Sequence, residues 1–174
     1  VWIMAYITFQ PSDHFNTKLW TGTGSENAIT GIGFQPDWVW IKQRNTTRDH
    51  NAFDAVRLAT KRIYPNAANA EETAAQVLKS FDSDGFTLGT DTSANQSSGT
   101  YVGWNWKANG AGSSNSNGSI TSTVSANSTA GFSIVKYTGT GSNATIGHGL
   151  STAPTALFVK NLDAAEQWIN YDVS

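Results

Sequence analysis

Three short stretches carry residues whose type and spacing suit chemistry. The first, "GTGSNA" from Gly139, fits the dinucleotide pattern of glycines that bring backbone amides up to a pyrophosphate. That chemistry needs a helix opening directly after the loop, and "TIGHGL" follows instead. The earlier "GTGSEN" breaks the pattern as well, so both stretches read as loops between strands. The second, "FDSDGF" (Phe81 to Phe86), sets two carboxylates before a glycine, as oxygen-ligand calcium loops do. It lacks the third ligand and the distal Glu of an EF-hand, and reads as a tight turn with Asp82 and Asp84 solvated. The third gathers His50 with Asp49 and Asp54, but no nucleophile motif, zinc-protease motif or carboxylate pair accompanies it. Catalysis has no support in these residues, and no cofactor or metal site is expected.

Binding has more to draw on. Sugar sites use exposed aromatic faces, and the chain has seven tryptophans. Most alternate within apparent strands, which favours a place in the core. Six of the eleven basic residues fall between Lys42 and Arg62, a solvated rim or a docking face for an acidic partner. The candidate contacts to a ligand or partner are Trp20, Tyr137 and Trp168 among the aromatics, and Arg44 and Arg48 among the basic residues.

The elements that would position these residues are strands. Aromatic, β-branched, Gly, Ser, Thr and Asn residues dominate, whereas helix signals are confined to "NAEETAAQVLKSF" (Asn69 to Phe81), with an Asn cap and early acids. In "DWVWIK" both faces are apolar, Trp38 and Trp40 on one and Val39 and Ile41 on the other, as in a central strand of a two-layer structure. In "TYVGWNWKA", Val102, Trp104 and Trp106 share one face; "DGFTLGT" is a third clear strand. The opening "VWIMAYITF" also reads as a strand, with Met4 a candidate translation start. A net charge of -2 and a charged fraction of 14% provide no field for nucleic acid or an anionic membrane, and no run approaches a membrane-spanning length of about 20 apolar residues. Cysteine is absent, so stability rests on packing or assembly.

The chain also repeats itself. "WTGTGSENAITGIGF" from Trp20 returns as "YTGTGSNATIGHGL" from Tyr137, and the match extends outward. Phe15 pairs with Phe132, Gly31 with Gly147, Gly33 with Gly149, Pro36 with Pro154, Lys42 with Lys160, Phe53 with Tyr171 and Asp54 with Asp172. Residues 4–107 are thus expected to form one β-sandwich module, 108–118 a flexible Gly/Ser/Asn-rich linker, and 119–174 the first half of a second module. The missing half implies a continuing chain or strands borrowed from a neighbour, since "GFSIVKYTG" and "TALFVK" otherwise expose an apolar face and an unpaired edge.

The phrases "FNTKLWTGTGSENAITGIGFQPDWVWIK", "FDSDGFTLGT", "TYVGWNWKANG" and "GFSIVKYTGTGSNATIGHGLSTAPTALFVKN" make the chain resemble an uncharacterised virion domain that recurs, often in tandem, in structural proteins of tailed phages of aquatic bacteria, cyanophages among them. The resemblance covers nearly the whole length. It implies an all-β fold of antiparallel jelly-roll, concanavalin-like sandwiches, and a particle protein of the tail fibre or head decoration, assembled in the host cytoplasm. Attachment without catalysis, contacts with other virion proteins and a host surface glycan, and a homo-oligomeric state follow from it. The alternatives are a carbohydrate-binding module of a secreted or cell-surface protein, and the stalk of a phage depolymerase.

Overall fold

The computed structural model describes residues 9–173 and is all-β, built of several antiparallel sheets. The strand expected at the amino terminus lies outside the described residues except for Phe9, which belongs to no strand. The first part of the chain runs β1 (Phe15–Thr21), β2 (Asn27–Thr30), β3 (Trp38–Gln43), β4 (Asn51–Asp54), β5 (Lys61–Arg62), β6 (Glu72–Thr73), β7 (Leu78–Asp82), β8 (Gly85–Leu88), a single helical turn α1 (Thr92–Asn95) and β9 (Thr100–Trp106). Beyond it come β10 (Ser113–Asn115), β11 (Ser122–Asn127), β12 (Phe132–Lys136), β13 (Ala156–Val159) and β14 (Ile169–Asp172).

One sheet has the order β1-β9-β3-β4, and a second has the order β2-β8-β7. Their facing residues make a single apolar cluster: Val39, Ile41, Phe53 and Tyr101 from the first sheet, Ile29, Leu78, Phe86 and Leu88 from the second. This burial is the main stabilising term of the fold, since apolar area leaves water on both inner faces at once. Polar residues on the inner face of the first sheet are bonded in part, with Gln43 Oε1 and Asn105 Oδ1 buried without a partner among the described residues. Asn105, fully buried, donates to the carbonyls of Asn16 and Gly103.

Four expectations need correction. The stretch Asn69 to Phe81 is not helical: Glu72–Thr73 pairs with Lys61–Arg62, and β7 begins at Leu78. Arg62 and Tyr64 both bond the Glu72 carboxylate, and adjacent Val77 and Leu78 are both fully buried. Tertiary burial and these partners outweigh a weak helical propensity. The linker contains a strand, β10, and its start is anchored: the Ala108 amide donates to the buried Asp37 carboxylate (2.7 Å) and that of Asn109 to Ser125 Oγ (2.8 Å). Third, Val102, Trp104 and Trp106 do share a face, but it is the outer one. The inner face of β9 is Tyr101, Gly103 and Asn105, because Trp20 lies across Gly103, where a Cβ would stand 3.0 Å from its ring. Fourth, the "FDSDGF" turn joins β7 to β8 as expected, yet its carboxylates are not merely solvated. Asp82 accepts from Ser80 and Thr87, and Asp84 from the amides of Gly31 and Gly33.

Two hairpins share their backbone geometry. In the β3–β4 hairpin Trp38 faces Asp54 and Val39 faces Phe53; in β13–β14 the equivalent Ala156 faces Asp172 and Leu157 faces Tyr171. Lys42 Nζ donates to the carbonyls of Gln43 (2.7 Å) and Thr46 (3.3 Å), and Lys160 Nζ repeats both bonds, to Asn161 (2.7 Å) and Ala164 (3.3 Å). Gly24 and Gly141, at equivalent places in the repeated loop, share positive φ values of 74° and 72°, a conformation that costs other residues energy.

Burial is where the two hairpins part. Val39, Ile41 and Phe53 are fully buried, whereas the equivalent Leu157, Val159 and Tyr171 are 40%, 38% and 56% exposed. Phe53→Ala should therefore cost roughly 3–5 kcal/mol by opening a cavity. Tyr171→Ala should stay within about 0.5 kcal/mol. Equal losses for the two in chemical denaturation would contradict the packing described.

Candidate functional site

The outer face of the β1-β9-β3-β4 sheet carries an array of indoles. The W-x-W spacing puts Trp38 and Trp40 on one face of β3, and Trp104 and Trp106 on one face of β9, by the two-residue period of a strand. Antiparallel pairing sets Trp38 opposite Trp106 and Trp40 opposite Trp104, so the four form a two-by-two block. Trp40 and Trp104 meet edge to face at 6.0 Å. Phe15 on β1 extends the first row, 4.7 Å from Trp106. All four indoles are half-buried on the sheet, and Trp106 is covered in part by Phe132 of β12, whose ring stacks on it at 6.1 Å. Such a surface can stack on the apolar face of a planar or pyranose ligand, or pack against another protein.

His50 borders the block. Its Nδ1 accepts from Trp40 Nε1 at 2.8 Å, which fixes the orientation of both rings. Burial chiefly, then the charge of nearby Lys42, lowers the His50 pKa below its ordinary 6.5, with Asp49 opposing. His50 does not combine with the neighbouring carboxylates into a catalytic set. Asp54 is buried in an ion pair with Arg57, and Asp49 accepts from Asn66 Nδ2.

The five residues singled out from sequence occupy separate places. Trp20 belongs to the packing of the inner face: it stacks on Tyr101 at 5.5 Å, meets Phe86 edge-on, and donates to the Ala94 carbonyl. Trp168 donates to the Tyr64 carbonyl at 2.9 Å, and with the bond from the Glu71 amide to the Leu162 carbonyl it docks the later part of the chain on the earlier. Tyr137 is exposed at the rim of a shallow hollow shared with Ile120 and Ile146. Arg44 and Arg48 are exposed after β3, Arg48 bonding Gln96. Most of the other basic residues are engaged within the fold: Arg57 with Asp54 and Glu71, Arg62 with Glu72, Lys61 with Thr73 and Lys42 with backbone carbonyls.

The repeated glycine loop has no free amides to cradle a phosphate in its first copy. Gly22 donates to the Gly99 carbonyl, Thr23 to Asn95 Oδ1 and Gly24 to the Asn95 carbonyl. Asn95, fully buried on α1, returns bonds to the carbonyls of Ser25 and Gly89. The loop wraps a helical turn and holds no ligand-facing donor set. Among the described residues no group of three or more His, Cys, Asp or Glu side chains is placed to hold a metal ion, and no helix is long and apolar enough to cross a membrane.

Fold and site together define an all-β protein with an aromatic cluster on the outer face of one sheet. A family model described as "Domain of unknown function (DUF7483)" matches residues 10–174, and the chain belongs to that family. No curated protein and no solved structure matches it.

Two pH responses follow. A lowered His50 pKa means the fold favours neutral imidazole, so its contribution is complete above pH 6.5 and falls as pH drops through the folded value. Tryptophan fluorescence should change over that acid range as the Trp40 bond is lost, and His50→Gln should remove the change. A titration unaltered by the substitution would count against the bond. Bonds from the Gly33 and Gly31 amides hold the Asp84 pKa below 3.8; its stabilisation is present above that value and lost as pH falls further. Asp84→Ala should narrow the gap in Tm between pH 7 and about pH 3, and an unchanged gap would refute the role assigned to it.

Proposed function

We propose that the chain is a non-catalytic attachment module displayed on the surface of a phage particle, as part of a tail fibre or a head decoration. Its sheets β1-β9-β3-β4 and β2-β8-β7 are the two layers of a jelly-roll, concanavalin-like sandwich, and residues beyond 107 begin a second such module. The observation that carries the reading is the half-buried block of Trp38, Trp40, Trp104 and Trp106, an apolar surface on a rigid sheet with no titratable pair beside it arranged for chemistry. The repeated β3–β4 and β13–β14 hairpins add support, because tandem modules are a common way to build extended, multivalent surface proteins. Other virion proteins and host surface glycans are the partners this reading implies. Mass spectrometry of purified particles should find this chain, with high copy number pointing to the head and low copy number to the tail. Its absence from particles whose genome encodes it would overturn the proposal.

The same indole block favours a second reading, a carbohydrate-binding module outside any virion. Trp104→Ala, which removes an outer-face ring while leaving Tyr101 and Asn105 in place, should weaken binding to a polysaccharide by about 1 kcal/mol or more without lowering Tm greatly. Glycan binding by the isolated chain, together with its absence from particles, would select this reading over the first.

A further inference from the structure

The outer face of the β1-β9-β3-β4 sheet continues beyond the indoles. In the row next to Trp40 and Trp104, Val102 lies between Leu19 and Lys42, and the Arg44 amide bonds the Thr100 carbonyl, which carries the ladder one residue past β3. Residues two apart on a strand share a face, so Thr17 and Thr21 on β1 and Arg44 after β3 belong to the same side as Trp104. Phe132 stacks on Trp106 at the far end, and the ground it leaves uncovered runs from Trp104 towards Arg44. Thr17, Thr21 and Arg44 are exposed, and among the described residues neither threonine hydroxyl nor the Arg44 guanidinium has a bonding partner. The carboxylates of the adjoining β3–β4 hairpin are engaged, Asp54 by Arg57 and Asp49 by Asn66. Lys42, tied to two backbone carbonyls, adds its fixed charge to that of Arg44, so this end of the face is positive although the chain carries a net charge of -2.

Resting on the reading of the indole block as a sugar site, we propose that this face binds an anionic polysaccharide of the uronate kind, with a sugar ring on Trp104 and a carboxylate on Arg44. Each feature of the face matches one feature of such a polymer. Indoles suit the apolar side of a pyranose. The free hydroxyls of Thr17 and Thr21 suit a ligand rich in hydroxyl groups. The planar guanidinium of Arg44 takes a carboxylate through two parallel bonds, which a lysine does not do. Trp40 and Arg44 are four residues apart, about 13 Å along a strand. One sugar ring does not span that interval, so the ligand is a chain whose successive units meet the indoles and the arginine. An acidic peptide would satisfy Arg44 but would leave the indole faces and the threonine hydroxyls unused.

The probes, each added to the full chain, are polygalacturonate and its methyl ester, which share rings and linkages and differ in charge, with poly-glutamate as an acidic polymer that has no sugar. Polygalacturonate should bind about tenfold more tightly than the ester, the ratio expected of a hydrogen bond to a charged group, and rising salt should narrow the ratio. Arg44→Gln should bring the two affinities together, and Trp104→Ala should weaken both. Equal affinities of the unaltered chain for the two galacturonans would overturn the charge preference and leave sugar binding standing, whereas binding of neither would overturn both. Poly-glutamate held as tightly as polygalacturonate would give the face to an acidic peptide instead. A preference that survives Arg44→Gln would likewise sink the assignment.

Discussion

The structure depends on β9 being paired along both edges. It is the last strand of its sheet in sequence, yet it lies between the first two to be made, and only through it do β1 and β3 belong to one sheet. Its alternation also serves two purposes at once. Tyr101, Gly103 and Asn105 face inward, where the missing side chain of Gly103 admits Trp20 and the amide of Asn105 closes the bonding of neighbouring carbonyls. Val102, Trp104 and Trp106 face outward and complete the indole block. A change on either face of this strand is therefore felt by the core or by the surface, but seldom by both.

The contrast between the two hairpins isolates what a sheet contributes to its strands. β3–β4 and β13–β14 share register, lysine bonds and the backbone bond that follows, from Ala55 to Asp37 and from Val173 to Thr155. Local sequence is thus enough to specify the hairpin. It is not enough to bury it, since Val39 and Phe53 are covered by Ile29, Phe86 and their neighbours, whereas Leu157 and Tyr171 stay exposed. Register is set by pattern and turn; burial is set by distant chain.

The places of several strands along the chain could be read from the sequence, but not their order in the sheets. "DWVWIK", "DGFTLGT" and "TYVGWNWKA" contain β3, β8 and β9, and the turn expected in "FDSDGF" is there, with Ser83 and Asp84 as its two loop residues and Gly85 opening β8. The sidedness of the tryptophans could not be read, because both faces of β3 are apolar and periodicity alone does not say which one meets the second sheet. The two W-x-W phrases were a usable signal for the outer block, but choosing the outer face requires knowing that Trp20 needs the space at Gly103. The helix expected at Asn69 to Phe81 failed for a similar reason: the partners that hold Glu72 and bury Val77 are distant in sequence or supplied by the second sheet. The short helix that does form, capped by Asp91, was hidden in polar residues whose role becomes clear only when Asn95 is seen holding the glycine loop.

The position of β9 also governs how the molecule is born. β1 leaves the ribosome about 80 residues before the strand that pairs with it, which at ordinary rates of translation leaves its edge unmatched for roughly 4 to 16 s. During that interval Phe15, Leu19 and Trp20 hang on a nascent chain without a sheet to join. The sheet can close only after Trp106 has emerged, so folding of this region is effectively deferred until its whole length is made. A cell that produces the protein in quantity must shield that early strand or keep nascent chains apart, a demand set by strand order alone.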